Sequence, residues 1–116
     1  MQRQVDPRLD LKGVTSVRAA EVPSVDYYPG VRKRTLLASQ TPGGLRILQV
    51  EIDAGKKFLD LDVHECGPEY IYVVEGIFED GAREHPAGTF IQHPAGSSHI
   101  PQSKSGCKLI VVLPSG

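Results

Sequence analysis

Glycine or proline interrupts this chain every few residues, with twelve glycines and nine prolines among 116 positions. Neither suits a helix interior, proline because it lacks the amide donor and glycine because ordering it costs backbone entropy. Between the interruptions lie short apolar or alternating runs: Leu45 to Ile52, Phe58 to His64, Tyr70 to Val74, Thr89 to Gln92 and Leu109 to Leu113. Short strands separated by regular turn signals predict an all-β sandwich or barrel. No segment carries a sustained helical stripe, and Val14 to Glu21 is expected to form at most a brief turn.

The length suits one domain, and 40% hydrophobic residues can bury one modest core. Residues 1–24 are polar and are read as an arm or edge strand, and 25–116 as the barrel. The formal charge is −1 and no cluster of lysine or arginine dominates, so a nucleic-acid surface is not indicated. The short run Arg32-Lys33-Arg34 reads as a solvated strand end. No apolar run approaches the roughly 18 residues that span a bilayer, and the N-terminus has no apolar leader segment, so a soluble, cytoplasmic protein is expected. Two cysteines are too few for a disulfide framework. Cys107 reads as a buried strand residue.

Strand periodicity decides which side chains can meet. Read as a strand, Phe58 to His64 places Asp60, Asp62 and His64 on one face and Leu59, Leu61 and Val63 on the other. The next strand places Glu69, Ile71 and Val73 together, opposite Tyr70, Tyr72 and Val74. An inward polar face is costly unless its charges are compensated, and a bound cation compensates them. Imidazole and carboxylate are side chains that hold divalent transition metals. A second histidine-bearing stretch, Gly88 to His99, supplies another donor.

These residues resemble the two motifs of the cupins. The first motif runs glycine, five residues, His-x-His, three or four residues, Glu, six residues, Gly. Here Glu69 is followed by six residues and Gly76, and His64 takes the second histidine position. Asp62 stands in the first, and Gly55 lies one residue early. The second motif matches at Gly88, Pro94, Gly96 and His99, with Ser103 where asparagine is usual. The wording of Val73 to Asp80, Pro86 to Thr89, Pro94 to His99 and Ser105 to Leu109 is similar to the cupin domain of ChrR-type anti-sigma factors. The resemblance implies a small double-stranded β-helix, or jelly-roll, barrel. It also implies a divalent metal held by His64, Glu69 and His99. For Asp62 three readings stay open: direct ligation, contact through water, or an empty position. Pairing as a homodimer is likewise implied. ChrR-type factors carry a separate zinc domain that grips the sigma factor, and nothing in this sequence supplies its His and Cys cluster. The resemblance therefore implies a stand-alone module and does not imply sigma-factor binding.

Other residues carry weaker signals. Cys66 is a rival soft ligand through His64-x-Cys66. His85 and His93 read as bystanders, His93 being held extended before Pro94 at the pocket rim. Two imidazoles and two carboxylates would neutralise a divalent ion and suit iron, manganese or nickel, with zinc also possible. Three functions follow. One is an enzyme acting on a small organic acid or diketone-like substrate by oxygenase, isomerase or lyase chemistry, with Glu51 or His93 as base. The second is a sensing module that binds a metal or small ligand. The third is a structural metal. No catalytic residue identifies itself from sequence alone.

Overall fold

In the computed structural model, residues 4–115 are described. A single 3-10 turn, Ala19–Glu21, precedes eleven strands. They are β1 (Val25–Tyr28), β2 (Val31–Ala38), β3 (Arg46–Ile52), β4 (Lys56–Lys57), β5 (Asp62–Val63), β6 (Glu69–Glu79), β7 (Glu84–Pro86), β8 (Phe90–His93), β9 (Ser98–His99), β10 (Gln102–Ser103) and β11 (Cys107–Leu113). All their pairings are antiparallel, and the main sheet runs β1-β2-β3-β11-β6-β10-β4, with β7 and β8 also paired to β6. A separate two-stranded piece joins β5 to β9. The all-β expectation holds.

Strand β6 organises the barrel because it changes partners along its length. Its first half lies between β11 and β8, and its second half meets β7 and β10. The change falls near Gly76, whose φ is +74° and where an added Cβ would stand 2.0 Å from the Gly106 carbonyl oxygen. Only glycine fits that approach. Alternation then fills the interior. Leu48, Val50 and Ile52 from β3, Ile71 and Val73 from β6, and Leu109 and Val111 from β11 are buried together with Phe78. Burying each such side chain fully contributes about 1.5–3 kcal/mol relative to leaving it in water. Cys107 is buried, as its strand pattern predicted, and burial pushes its thiol up to about 11 despite a contact to Ser103.

Two expectations are corrected. The run Phe58 to His64 is not one strand. Only Asp62 and Val63 pair, with His99 and Ser98, while Leu59 and Leu61 are exposed. The remainder is a loop, begun where the Asp60 carboxylate accepts the Leu61 amide hydrogen. The basic run is not a solvated strand end either. Arg32 and Arg34 lie within β2 and are partly buried against acids of β3 and the residue just after it, Arg32 on Glu51 and Asp53 and Arg34 on Glu51.

Candidate metal centre

Four buried side chains from separate elements converge at one end of the barrel: His64, Glu69, His93 and His99, each with a ligand atom within 4.8 Å of the others. Glu69 opens β6 and His93 closes β8, and the two stand opposite each other in the register of that pair. His99 ends β9. His64 follows β5 and is fixed by its backbone, its amide donating to the Ser97 carbonyl and its carbonyl accepting from the Gly96 amide. The matched turn Pro94-Ala95-Gly96-Ser97 thus places two of the histidines, one at each side of the same small sheet. Gly96 permits it with a φ of +88°.

The donor atoms face a common point. His64 Nε2 and His99 Nε2 are 3.0 Å apart, and each lies 3.2–3.3 Å from Glu69 Oε1. His93 Nδ1 is 3.6 Å from the same oxygen. Donors bound to one ion at about 2.1 Å lie about 3.0 Å apart at right angles and about 3.4 Å apart at the tetrahedral angle. The spacing therefore suits one small cation. Glu69 Oε1, both ring nitrogens of His93 and Nδ1 of His99 are fully buried without a hydrogen-bond partner. Buried polar atoms left in that condition are rare and costly, and an ion satisfies those aimed at the common point.

Asp62 borders this group. Its Oδ2 lies 3.3 Å from His99 Nε2 and 3.8 Å from His64 Nε2, and its side chain is about one-third exposed. Contact with the His99 ring holds the Asp62 carboxyl below its usual range, against the opposing effect of burial. Burial works to lower His99, but the Asp62 and Glu69 carboxylates outweigh it and push His99 up to about 9. Burial, helped by the neighbouring His99, lowers His93.

Of the residues singled out from sequence, His64, Glu69 and His99 come together with Asp62 alongside. His93, expected at the rim, is buried among them. The signal available for it was alternation: in Phe90-Ile91-Gln92-His93, Ile91 and His93 share the buried face. Cys66 is exposed and outside the cluster. His85 is also apart from it, paired with Asp80 at 3.0 Å. Glu51 is excluded as a base in this pocket. It points to the opposite face of β3 from Val50 and Ile52, and its carboxylate is engaged by Arg34 and Arg32.

A cavity of about 400 Å³ opens beside the cluster. Asp62, His64, Glu69 and His99 form part of its wall, and much of the rest is apolar. The centre is thus approached from one side. Among the described residues, no helix is long and apolar enough to cross a membrane.

A curled antiparallel barrel with an inward histidine and glutamate cluster defines a cupin. The chain belongs to the ChrR cupin-like domain family, whose model matches residues 12–115. It is similar in structure to an RmlC-like cupin from Shewanella frigidimarina, with 21% identity, a TM-score of 0.74, and coverage of 87% of this chain and 90% of that one. It is also similar to a chain of the complex between Rhodobacter sphaeroides SigE and the anti-sigma ChrR, at 21% identity and a TM-score of 0.69, over 83% of this chain and 50% of that one. A third likeness is to the polyketide cyclase RemF from Streptomyces resistomycificus, at 21% identity and a TM-score of 0.71, over 86% of this chain and 78% of that one. A comparison with curated proteins gave no match.

Proposed function

We propose that this cupin holds one divalent metal, from among iron, manganese, zinc and nickel, through His64, Glu69, His93 and His99, and acts as a metalloenzyme on a small molecule admitted by the adjoining cavity. The observation that carries this reading is the pair of buried atoms without a hydrogen-bond partner that face the common point, Glu69 Oε1 and His93 Nδ1, beside an open cavity. A purely structural ion would not need the space. When bound, the metal supplies Lewis acidity toward a substrate oxygen or an activated water. The chain's own contributions are separable. Glu69 gives the negative charge within the cluster, the imidazoles fix the donor directions, and Asp62 accepts a hydrogen bond at the cavity wall. Oxygenase, isomerase and lyase chemistries all use such a site. The test is elemental analysis of the purified protein, followed by metal-dependent turnover of a panel of diketones and hydroxy acids. About one ion per chain with turnover supports the reading, and no ion after reconstitution removes it.

The family match favours a second reading, a regulatory module that binds a metal or small ligand and acts through a partner. Capture of one defined partner, with no turnover across the panel, would select it.

A further inference from the structure

We infer that the ligand of this centre is single-headed, with one oxygen-donor group for the metal carried on an apolar body of up to about sixteen non-hydrogen atoms. The size follows from the cavity of about 400 Å³, since an apolar cavity of about 150 Å³ accommodates a six-carbon aromatic ring. This inference rests on the metal reading above and adds to it the class of molecule.

The floor of the cavity is the evidence. It is built from inward residues of three adjacent strands: Leu48 and Val50 of β3, Leu109 and Val111 of β11, and Ile71 of β6. The pairings Leu48 with Val111, Val50 with Leu109, and Val111 with Ile71 set these core side chains next to one another, each at most 5% exposed, so that the cavity meets the edge of the core there. Aromatic rings extend it toward the mouth, where Tyr28 and Phe58 have centroids 5.0 Å apart and Tyr27 lies 6.0 Å from Phe58. Outside the metal cluster and Asp62, the charged residues on the wall are Arg46 and Glu65. Arg46 is the first residue of β3, opposite the last residue of β11, and Glu65 is exposed in the loop after β5. Both belong to strand ends or loops.

This arrangement discriminates between ligand classes. A polyhydroxylated ligand would set hydroxyls against alkyl groups that cannot bond them, at a loss of about tenfold in affinity for each. A two-carbon or three-carbon dicarboxylate would fill only a fraction of the space and leave the floor uncovered. An alkyl or aryl body covers it, and each buried methylene strengthens binding about fourfold.

The test uses hydroxamic acids, which present one metal-binding head on a chosen body. Calorimetry on the zinc-loaded protein would compare the straight-chain series from acetohydroxamic to decanohydroxamic acid with gluconohydroxamic acid. Affinity is expected to rise about fourfold per methylene until the cavity is filled, with gluconohydroxamic acid at least a hundredfold weaker than the octano member. A flat series, or equal binding of the hydroxylated body, overturns the proposed class while leaving the metal reading intact. The same series on metal-free protein is expected to keep its chain-length slope and lose at least tenfold at every length. Equal affinity with and without zinc, slope retained, would mean that the head does not meet the metal, and the single-headed assignment fails with it. Val50→Phe is expected to weaken the octano member at least tenfold and leave acetohydroxamic acid unchanged. Phe58→Ala, at the mouth, gives the same selective loss for long members if Val50→Phe does not fold. Equal effects on short and long members would overturn the placement of the body.

Discussion

His93 and Glu69 face each other across the β6–β8 pair, with His93 Nδ1 3.6 Å from Glu69 Oε1. That pairing restores a third imidazole to the centre. The cupin pattern supplies it from the first motif, where this chain has Asp62, and here it arrives from a neighbouring strand. His93→Ala is therefore expected to weaken metal binding at least as much as loss of a supporting group commonly does, about ten- to a hundredfold. His85→Ala, outside the cluster, should leave it unchanged. Competition against a chromogenic chelator measures both. Equal affinities for His93→Ala and the unaltered protein would remove His93 from the site.

The sequence made Glu69 and His99 legible because their spacing to glycines and a proline is fixed by turns that only those residues make. The same spacing hid His93, since a motif template directs attention to its own positions. Alternation within Phe90 to His93 carried the missing information, because Ile91 and His93 point to the same buried side. Phe58 to His64 shows the converse. Its alternation was compatible with a strand, but a strand needs a partner, and only Asp62 and Val63 have one. Arg32 and Arg34 likewise took their role from Glu51 and Asp53, acids that lie 17 to 21 residues onward and meet them only once β2 and β3 are paired.

Asp62 and His99 set the charge of the metal-free centre. Burial lowers His99, but Asp62 and Glu69 outweigh it and carry the ring to about 9. A raised folded value means that this stabilisation is present in full below the ordinary histidine range near pH 6.5. It is lost as pH rises through about 9. The metal-free protein should accordingly lose stability between those limits. Asp62→Asn should move the His99 midpoint down, as read from imidazole proton resonances. An unmoved midpoint would show that Asp62 does not govern it. Metal binding at pH 7.5 should release close to one proton, visible as a buffer-dependent binding enthalpy.

Asp80 makes a different pH-sensitive contribution. Its Oδ1 accepts the amide hydrogens of Ala82 and Arg83 at 2.8 and 2.7 Å, closing the turn between β6 and β7, while Oδ2 meets His85 Nε2 at 3.0 Å. Burial tends to raise its carboxyl, but the His85 contact and the two amides outweigh that and hold it far below the usual range. A depressed folded value means stability that is present above about pH 4 and lost as pH falls toward the folded value. Asp80→Asn should cost about 1–3 kcal/mol at neutral pH, from weakened bonds to a partly buried acceptor. Urea denaturation at pH 7 and at pH 3 should show the gap between variant and parent narrowing in acid. A gap that stays constant would mean that the carboxylate charge contributes nothing.

Removing the metal tests the centre without any substrate. In the metal-free chain, Glu69 Oε1 and both His93 nitrogens stay buried without a hydrogen-bond partner, so the folded state carries a desolvation cost that the unfolded chain escapes by hydrating them. An ion bound only by the folded state offsets that cost by mass action, about 2.7 kcal/mol at a hundredfold excess over Kd. For a domain of this size, each kcal/mol moves Tm by roughly 3–6 °C. Chelation should thus lower Tm by about 8–16 °C, and readdition of one equivalent of zinc or manganese should recover most of it. His93→Ala should melt lower than the parent with metal present and respond less to chelation, because its centre has already lost a donor. Identical melting of chelated and metal-loaded parent would mean that the four side chains hold no ion, and their convergence would then require another source of compensating charge.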